Sequence, residues 1–238
     1  MAIQTVFKRY ELKFLLTADQ KARLLPEIEQ YMQLDKYGRT LIKNIYFDTD
    51  NYRLIRRSLE KPDYKEKLRL RSYGATTPDS TVFVELKKKY NGVVYKRRIP
   101  MPEWEAMAWL QGLVPAPDSQ IAEEITYCLR FYKTLRPTVF LSYQREAYYA
   151  RDGSAFRLTF DDTILCRRED LSLCKDSGGT PILPPGTVLM ELKCPGGIPL
   201  WMTTLLSREK IYKTSYSKYG TAYQTMIFTN RKETVSNV

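Results

Sequence analysis

The sequence predicts an antiparallel α+β fold in one domain, with strands spread along the whole chain and short helices between them. Three observations predict it. Apolar and polar residues alternate with period two in segment after segment, the pattern of strands with one buried face. Asn91-Gly92 lies between two such segments and is a hairpin signal. The helical stretches are short and interspersed among the strands, with no internal repeat.

In chain order, residues 6–16 alternate and read as a strand. Thr17 caps the helix that follows, with Gln20 three residues on as a capping-box partner, running to about Met32. Residues 40–47 form a second strand. Asp48-Thr49-Asp50 reads as a turn and helix cap ahead of a short helix over 51–60, which Pro62 halts. Residues 64–73 and 81–90 are strands, and Asn91-Gly92 returns the chain into a strand over 93–99. Pro100 and Pro102 open a helical stretch through Leu110, and a second helix covers about 121–132. Strands resume at 138–149 and 155–164, joined across Asp152-Gly153. Residues 166–185 are a loop, 188–193 a strand, 200–208 a helix and 218–228 a last helix.

Composition narrows the chemistry. The 238 residues carry 38 Lys+Arg against 27 Asp+Glu, a net charge of +11, which points to an anionic partner. There is no histidine, so Ser-His-Asp triads, Cys-His dyads and His-containing zinc sites are excluded. Cys128, Cys166, Cys174 and Cys194 make no CxxC pair and fit a reducing compartment. With no signal-peptide pattern and no apolar run of membrane-spanning length, the chain reads as soluble and cytoplasmic.

Strand parity places the charge. Glu11 and Lys13 share one face with Arg9; Lys67, Arg69 and Arg71 share one; so do Glu191 and Lys193. A two-residue loop at Asn91-Gly92 pairs Tyr90 with Val93, Lys87 with Lys96 and Glu85 with Arg98. One face of that hairpin then carries Glu85, Lys87, Lys89, Lys96 and Arg98. Like charges directly opposite cost up to about 1 kcal/mol, which an anion lying between them would remove. A sheet closed into a barrel would turn these faces inward, and such an interior suits a polyanion.

Arg9-Tyr10-Glu11-Leu12-Lys13-Phe14, Lys67-Leu68-Arg69-Leu70-Arg71-Ser72-Tyr73-Gly74, Val84-Glu85-Leu86-Lys87, Tyr95-Lys96-Arg97-Arg98, Met190-Glu191-Leu192-Lys193 and Ser215-Tyr216-Ser217-Lys218-Tyr219-Gly220 occur in an order that resembles the triphosphate tunnel metalloenzymes, a CYTH-like superfamily. The pattern is most similar to their polyphosphate polymerase branch, the VTC-type catalytic domain of the vacuolar transporter chaperone complex, and covers about Phe7 to Thr229. The resemblance implies an eight-stranded antiparallel β-barrel tunnel with helices packed outside, as a single domain over 1–238. It implies a catalytic set of Lys13, Arg69, Arg71, Lys87, Lys193 and Glu191. The substrate-binding set adds Lys96, Arg98, Arg145, Arg157, Lys213, Ser217 and Lys218. The metal, Mn²⁺ or Mg²⁺, would sit on Glu191, with Glu11, Glu85 and Asp161 as further candidates.

The implied reaction is transfer of the γ-phosphate of ATP to orthophosphate, pyrophosphate, tripolyphosphate or a growing polyphosphate chain. An attacking phosphate oxygen is already anionic at neutral pH, so the reaction needs no general base and no histidine. Alternatives are a metal-dependent tripolyphosphatase or nucleoside triphosphatase on the same fold, and a binding module for polyphosphate or nucleic acid. Nucleic acid is disfavoured because the tyrosines fall largely on faces opposite the cations, where bases could not stack beside them. A membrane-protein partner follows from the resemblance alone.

Two departures stand out. Arg9 occupies the first position of the Glu-x-Glu-x-Lys start of the hydrolase branches, which thins the acidic cluster and favours the polymerase. Ser215 stands where the polymerase pattern has a lysine, with Lys213 two residues earlier. The tunnel also bears on the Asp152-Gly153 turn. A two-residue loop would put Arg145 and Arg157 on opposite faces; a three-residue loop puts both on one face, with Arg145 opposite Asp161. Placing both arginines inside selects the three-residue register.

Overall fold

A computed structural model of the chain describes residues 6–228. The strands are β1 (Val6–Thr17), β2 (Met32–Leu34), β3 (Thr40–Asp48), β4 (Tyr64–Tyr73), β5 (Thr81–Tyr90), β6 (Val93–Pro102), β7 (Arg136–Ala150), β8 (Arg157–Arg167), β9 (Thr180–Pro181), β10 (Thr187–Cys194) and β11 (Lys213–Thr214). The helices are α1 (Ala18–Tyr31), α2 (Arg53–Leu59), α3 (Glu103–Leu110), α4 (Gln120–Tyr132), α5 (Leu200–Arg208) and α6 (Lys218–Ala222). The final helix predicted over 218–228 starts as α6 and continues as a π-helix, Tyr223–Phe228.

Eight strands close a ring. β3 pairs with β4, then β5, β6, β1, β10, β8 and β7 follow, and β7 returns to β3, every pairing antiparallel. The short strands add to this ring, β2 on β7, β9 on β8 and β11 on β1. No local pattern marked these three.

Local chemistry accounts for the predicted elements. Thr17 accepts from the Gln20 backbone N–H at 3.1 Å and Gln20 Oε1 accepts from the Thr17 N–H at 3.0 Å, so the capping box is formed. Asn91 (φ 45°) and Gly92 (φ 82°) both take left-handed backbone, as a type I′ turn requires, and Tyr90 pairs with Val93. Asp48 serves as a cap. Its carboxylate accepts from the N–H groups of Thr49, Leu54 and Ile55 at 2.8, 2.9 and 3.0 Å, and from the Tyr219 hydroxyl at 2.9 Å. β7 and β8 pair Arg145 with Asp161 and Tyr149 with Arg157, the register of a three-residue turn.

Two apolar clusters clothe the outside of the ring. Phe14, Leu16, Leu158, Phe160, Met190 and Leu192 pack under α1 and α5. Ile45, Leu68, Leu70, Val84, Leu86 and Phe140 pack under α3 and α4. Each side chain of this size contributes roughly 1.5–3 kcal/mol on burial. Because side chains alternate, burying the even-numbered residues of β1, β4 and β10, and Leu158 and Phe160 of β8, outside turns their odd-numbered neighbours into the bore. Beyond the register shift at Ser142/Gln144, Ile164 and Cys166 of β8 pack instead with Tyr46, Tyr143 and Tyr219. All four cysteines are free.

Candidate active site in the barrel bore

Among the described residues, the middle of the bore holds nine cations, Lys13, Lys67, Arg69, Arg71, Lys87, Lys96, Arg145, Lys193 and Lys218, beside four carboxylates, Glu11, Glu85, Asp161 and Glu191. Cations therefore outnumber carboxylates by five within this group alone.

One group surrounds Glu85, which is 0% exposed. Arg69 holds it through Nε and Nη2 at 2.8 and 2.6 Å, Lys96 Nζ lies at 3.2 Å and Arg71 Nε at 3.9 Å. Burial alone would raise the Glu85 pKa, but Arg69, Arg71 and Lys96 hold it well below the usual carboxylate range. Lys96 is driven the other way. Burial lowers its pKa to about 7, Glu85 opposes this, and the neighbouring arginines add to it. Arg71 is fixed by Asn44 Oδ1 at 2.8 Å and the Tyr143 hydroxyl at 3.0 Å, Arg69 by the Tyr46 hydroxyl at 3.0 Å.

A second group surrounds Asp161 and Glu191. Arg145 binds Asp161 in bidentate fashion at 2.6 and 2.6 Å, and Lys218 reaches it at 2.5 Å. Lys193 and Lys218 lie 3.4 Å from Glu191, Lys13 at 3.6 Å and Arg145 at 3.8 Å. Against the effect of burial, Lys218, Lys13 and Lys193 hold Glu191 ionised, with its pKa well below normal. Glu11 binds Lys87 at 2.5 Å. Burial raises its pKa and Glu191 adds to this, but Lys87 and Lys193 together bring the value down to about 2.

Lys87 and Lys96 are directly opposite, as the hairpin register requires, yet their ammonium groups diverge. Lys87 turns to Glu11 and Lys96 to Glu85, so internal carboxylates relieve the repulsion. Arg98 lies on the same face, over the Phe83 ring at 4.5 Å. Arg157 shares the inner face but is exposed, donating to the Ser154 and Phe156 carbonyls at 3.3 and 3.1 Å. Lys213 is placed elsewhere: it pairs with Phe14, whose side chain packs in the outer core, and is exposed. The side chain of Arg9 lies outside the described residues.

The segment Tyr216–Tyr219 lies across the bore. The Tyr216 carbonyl accepts from Lys13 at 2.7 Å, Ser217 Oγ from Lys67 at 2.8 Å, Lys218 pairs with Asp161, and Tyr219 stacks on Tyr46 with centroids 4.8 Å apart. Sequence reasoning put Lys67 on the charged face with Arg69 and Arg71 but left it out of the candidate site. It also missed Asn44, Tyr46 and Tyr143, because bulky apolar residues on both faces of β3 and β7 hide the alternation. These tyrosines set aromatic rings beside the cations, contrary to the expected segregation. Lys218 lies 4.5 Å from the Tyr143 centroid, and Tyr46, Tyr143 and Tyr219 are all buried.

Among the described residues no three Asp, Glu or Cys side chains converge as a protein-only metal cage. Asp161 and Glu191, which share Lys218 and Arg145, fit the alternative: a hard divalent ion held by one or two carboxylates and completed by phosphate oxygens. Glu85 is enclosed by three cations and fits the role of counterion.

A closed antiparallel barrel with a cationic bore, clothed by helices, defines a tunnel fold whose interior suits an anion by its charge. The same fold occurs in a candidate adenylate cyclase from Bacillus halodurans, with a TM-score of 0.58 and 15% identity, covering 94% of this chain and 100% of that one. A candidate adenylate cyclase from Vibrio parahaemolyticus has a TM-score of 0.50 and 12% identity over 92% and 98% of the two chains. A Hippeastrum protein, described as a candidate adenylyl cyclase with a dominant triphosphatase activity, has a TM-score of 0.50 and 15% identity over 91% and 95%. Residues 8–227 match the VTC domain model, and the chain belongs to the VTC domain family. No helix among the described residues is long and apolar enough to cross a membrane.

Proposed function

We propose that this chain is a polyphosphate polymerase, transferring the γ-phosphate of ATP to orthophosphate at initiation and to the growing polyphosphate chain afterwards. The observation that carries the reading is the charge of the bore: among the described residues, the Lys and Arg side chains gathered at its middle outnumber the four carboxylates there, and each carboxylate is already held by at least one of those cations. An incoming polyanion exchanges with these internal carboxylates. Arg69, Arg71 and Arg145 suit bidentate phosphate contacts, and Lys13, Lys87, Lys193 and Lys218 supply point charges.

The cations hold the triphosphate and the acceptor in line and neutralise charge spreading over the transferred phosphoryl group. The acceptor oxygen arrives ionised, so no side chain need remove a proton. Glu191, with Asp161 beside it, would hold Mn²⁺ or Mg²⁺, which when bound supplies further charge neutralisation at the phosphate oxygens. The buried bore tyrosines are stacked and hydrogen-bonded within the protein, which leaves no open ring for a base and favours inorganic chains over nucleic acid. A cytoplasmic location and a membrane-protein partner that moves the product accord with this activity.

Hydrolysis is the second reading, favoured by the triphosphatase activity described for the Hippeastrum protein. Incubation with ATP and Mn²⁺ separates the two. Long polyphosphate on a gel is expected; orthophosphate with no chain growth would replace the polymerase by a triphosphatase.

A further inference from the structure

Lys67, Lys87 and Lys96 stand in one row across β4, β5 and β6, each directly opposite the next. Opposite-charge pairs dominate the other side of the bore, where Lys13 faces Glu191, Glu11 faces Lys193 and Arg145 faces Asp161. Within the row, Lys96 turns to Glu85 and Lys87 to Glu11. Among the described residues Lys67 has no carboxylate within 4.0 Å; its polar partner is Ser217 Oγ at 2.8 Å. Burial, followed by Lys13, Lys87, Lys65 and Arg69, pushes its pKa well below the ordinary lysine value.

The donors around Lys67 are incompletely used. An ammonium has three N–H donors, and Ser217 takes one. Ser217 Oγ accepts from Lys67 and from the Gly220 N–H at 3.0 Å, which uses both of its lone pairs and leaves its O–H to donate. Solvent reaches this region, since the side chains of Lys13 and Lys87 are 22% and 28% exposed. A cation set among cations, beside a hydroxyl with a spare proton, matches a phosphate oxygen.

We propose that Lys67 and the Ser217 hydroxyl, with Lys87 beside them, form a subsite for one phosphate group of the polyanion, making Lys67 a substrate-binding residue. The subsite borders the Glu85 group, through Lys96 in the same row, and adds a contact that a longer phosphate chain can use. The inference rests on the polyanion-binding reading above.

The test is calorimetric titration of the full chain with tripolyphosphate in metal-free buffer, together with melting temperatures, for wild type, Lys67→Met, Lys67→Gln and Lys67→Arg. Both neutral variants are expected to bind tripolyphosphate at least tenfold more weakly, while Lys67→Arg stays within about threefold of wild type. Without ligand, the neutral variants should melt at or above the wild-type temperature, because repulsion from Lys13, Lys65, Lys87 and Arg69 is relieved. If Lys67 only pinned Tyr216–Tyr219 in place, melting would fall and affinity would hold, and that result overturns the subsite. Wild type and both neutral variants binding within twofold of one another overturns it as well, leaving the polyanion reading intact. No tripolyphosphate binding by wild type overturns both.

Discussion

Replacing Glu191 by Gln removes one negative charge from the centre of four cations while keeping its shape. The carboxylate lies 3.4 to 3.8 Å from Lys193, Lys218, Lys13 and Arg145. At an effective dielectric near 20, one unit-charge pair at that distance is worth roughly 5 kcal/mol before desolvation. Removing one partner of a buried pair typically costs about 3–5 kcal/mol net. The lower end, about 3 kcal/mol, applies here because Asp161 continues to serve Arg145 and Lys218. For a chain of this size that is a fall in melting temperature of roughly 6–12 °C without ligand. Saturating tripolyphosphate restores negative charge among the same cations, so its stabilising shift should be larger in Glu191→Gln than in wild type. Mn²⁺ added on top should stabilise the wild-type complex and leave the variant complex unchanged, and chain synthesis should be lost. Thermal shift with and without tripolyphosphate and Mn²⁺ checks each point. An unchanged melting temperature for the ligand-free variant, or a smaller tripolyphosphate shift than in wild type, would refute the exchange of carboxylate for phosphate.

Two further outcomes follow from the same charges. Lys96 has its folded pKa depressed to about 7, so between about pH 7 and the ordinary lysine range the unfolded chain binds more protons than the folded one. Stability without ligand should therefore rise with pH from about 7, while tripolyphosphate affinity falls by up to about tenfold per unit for each proton taken up; a melting temperature that drops between pH 7 and 9 would contradict this. Arg69→Ala strands Glu85, which is 0% exposed, with Lys96 and a distant Arg71. The urea midpoint should reflect a loss of about 3–5 kcal/mol, and Arg69→Lys should recover little because the bidentate fork is gone. Wild-type stability in Arg69→Ala would show that Glu85 does not depend on it.

The parts of this protein legible in its sequence are those set by neighbours in the chain. Parity assigned Lys13, Arg69, Arg71, Lys87 and Lys193 to one face of their strands because successive side chains in a strand must point to opposite sides. The Asn91-Gly92 register and the Thr17–Gln20 capping box rest on backbone geometry spanning a few residues. At Asp152-Gly153 the local chemistry allowed two registers. Only the demand for both arginines inside selected the observed one, and even so Arg157 is exposed. Tertiary structure decided the partners. Lys67 meets Ser217 across 150 positions, Lys13 meets the Tyr216 carbonyl across 203, and Tyr219 meets Asp48 across 171. It also turned Lys213 outward and divided Lys87 and Lys96 between different carboxylates. Such pairings depend on how eight strands tilt and stagger when they close on one another, a property of the whole ring that no single segment encodes.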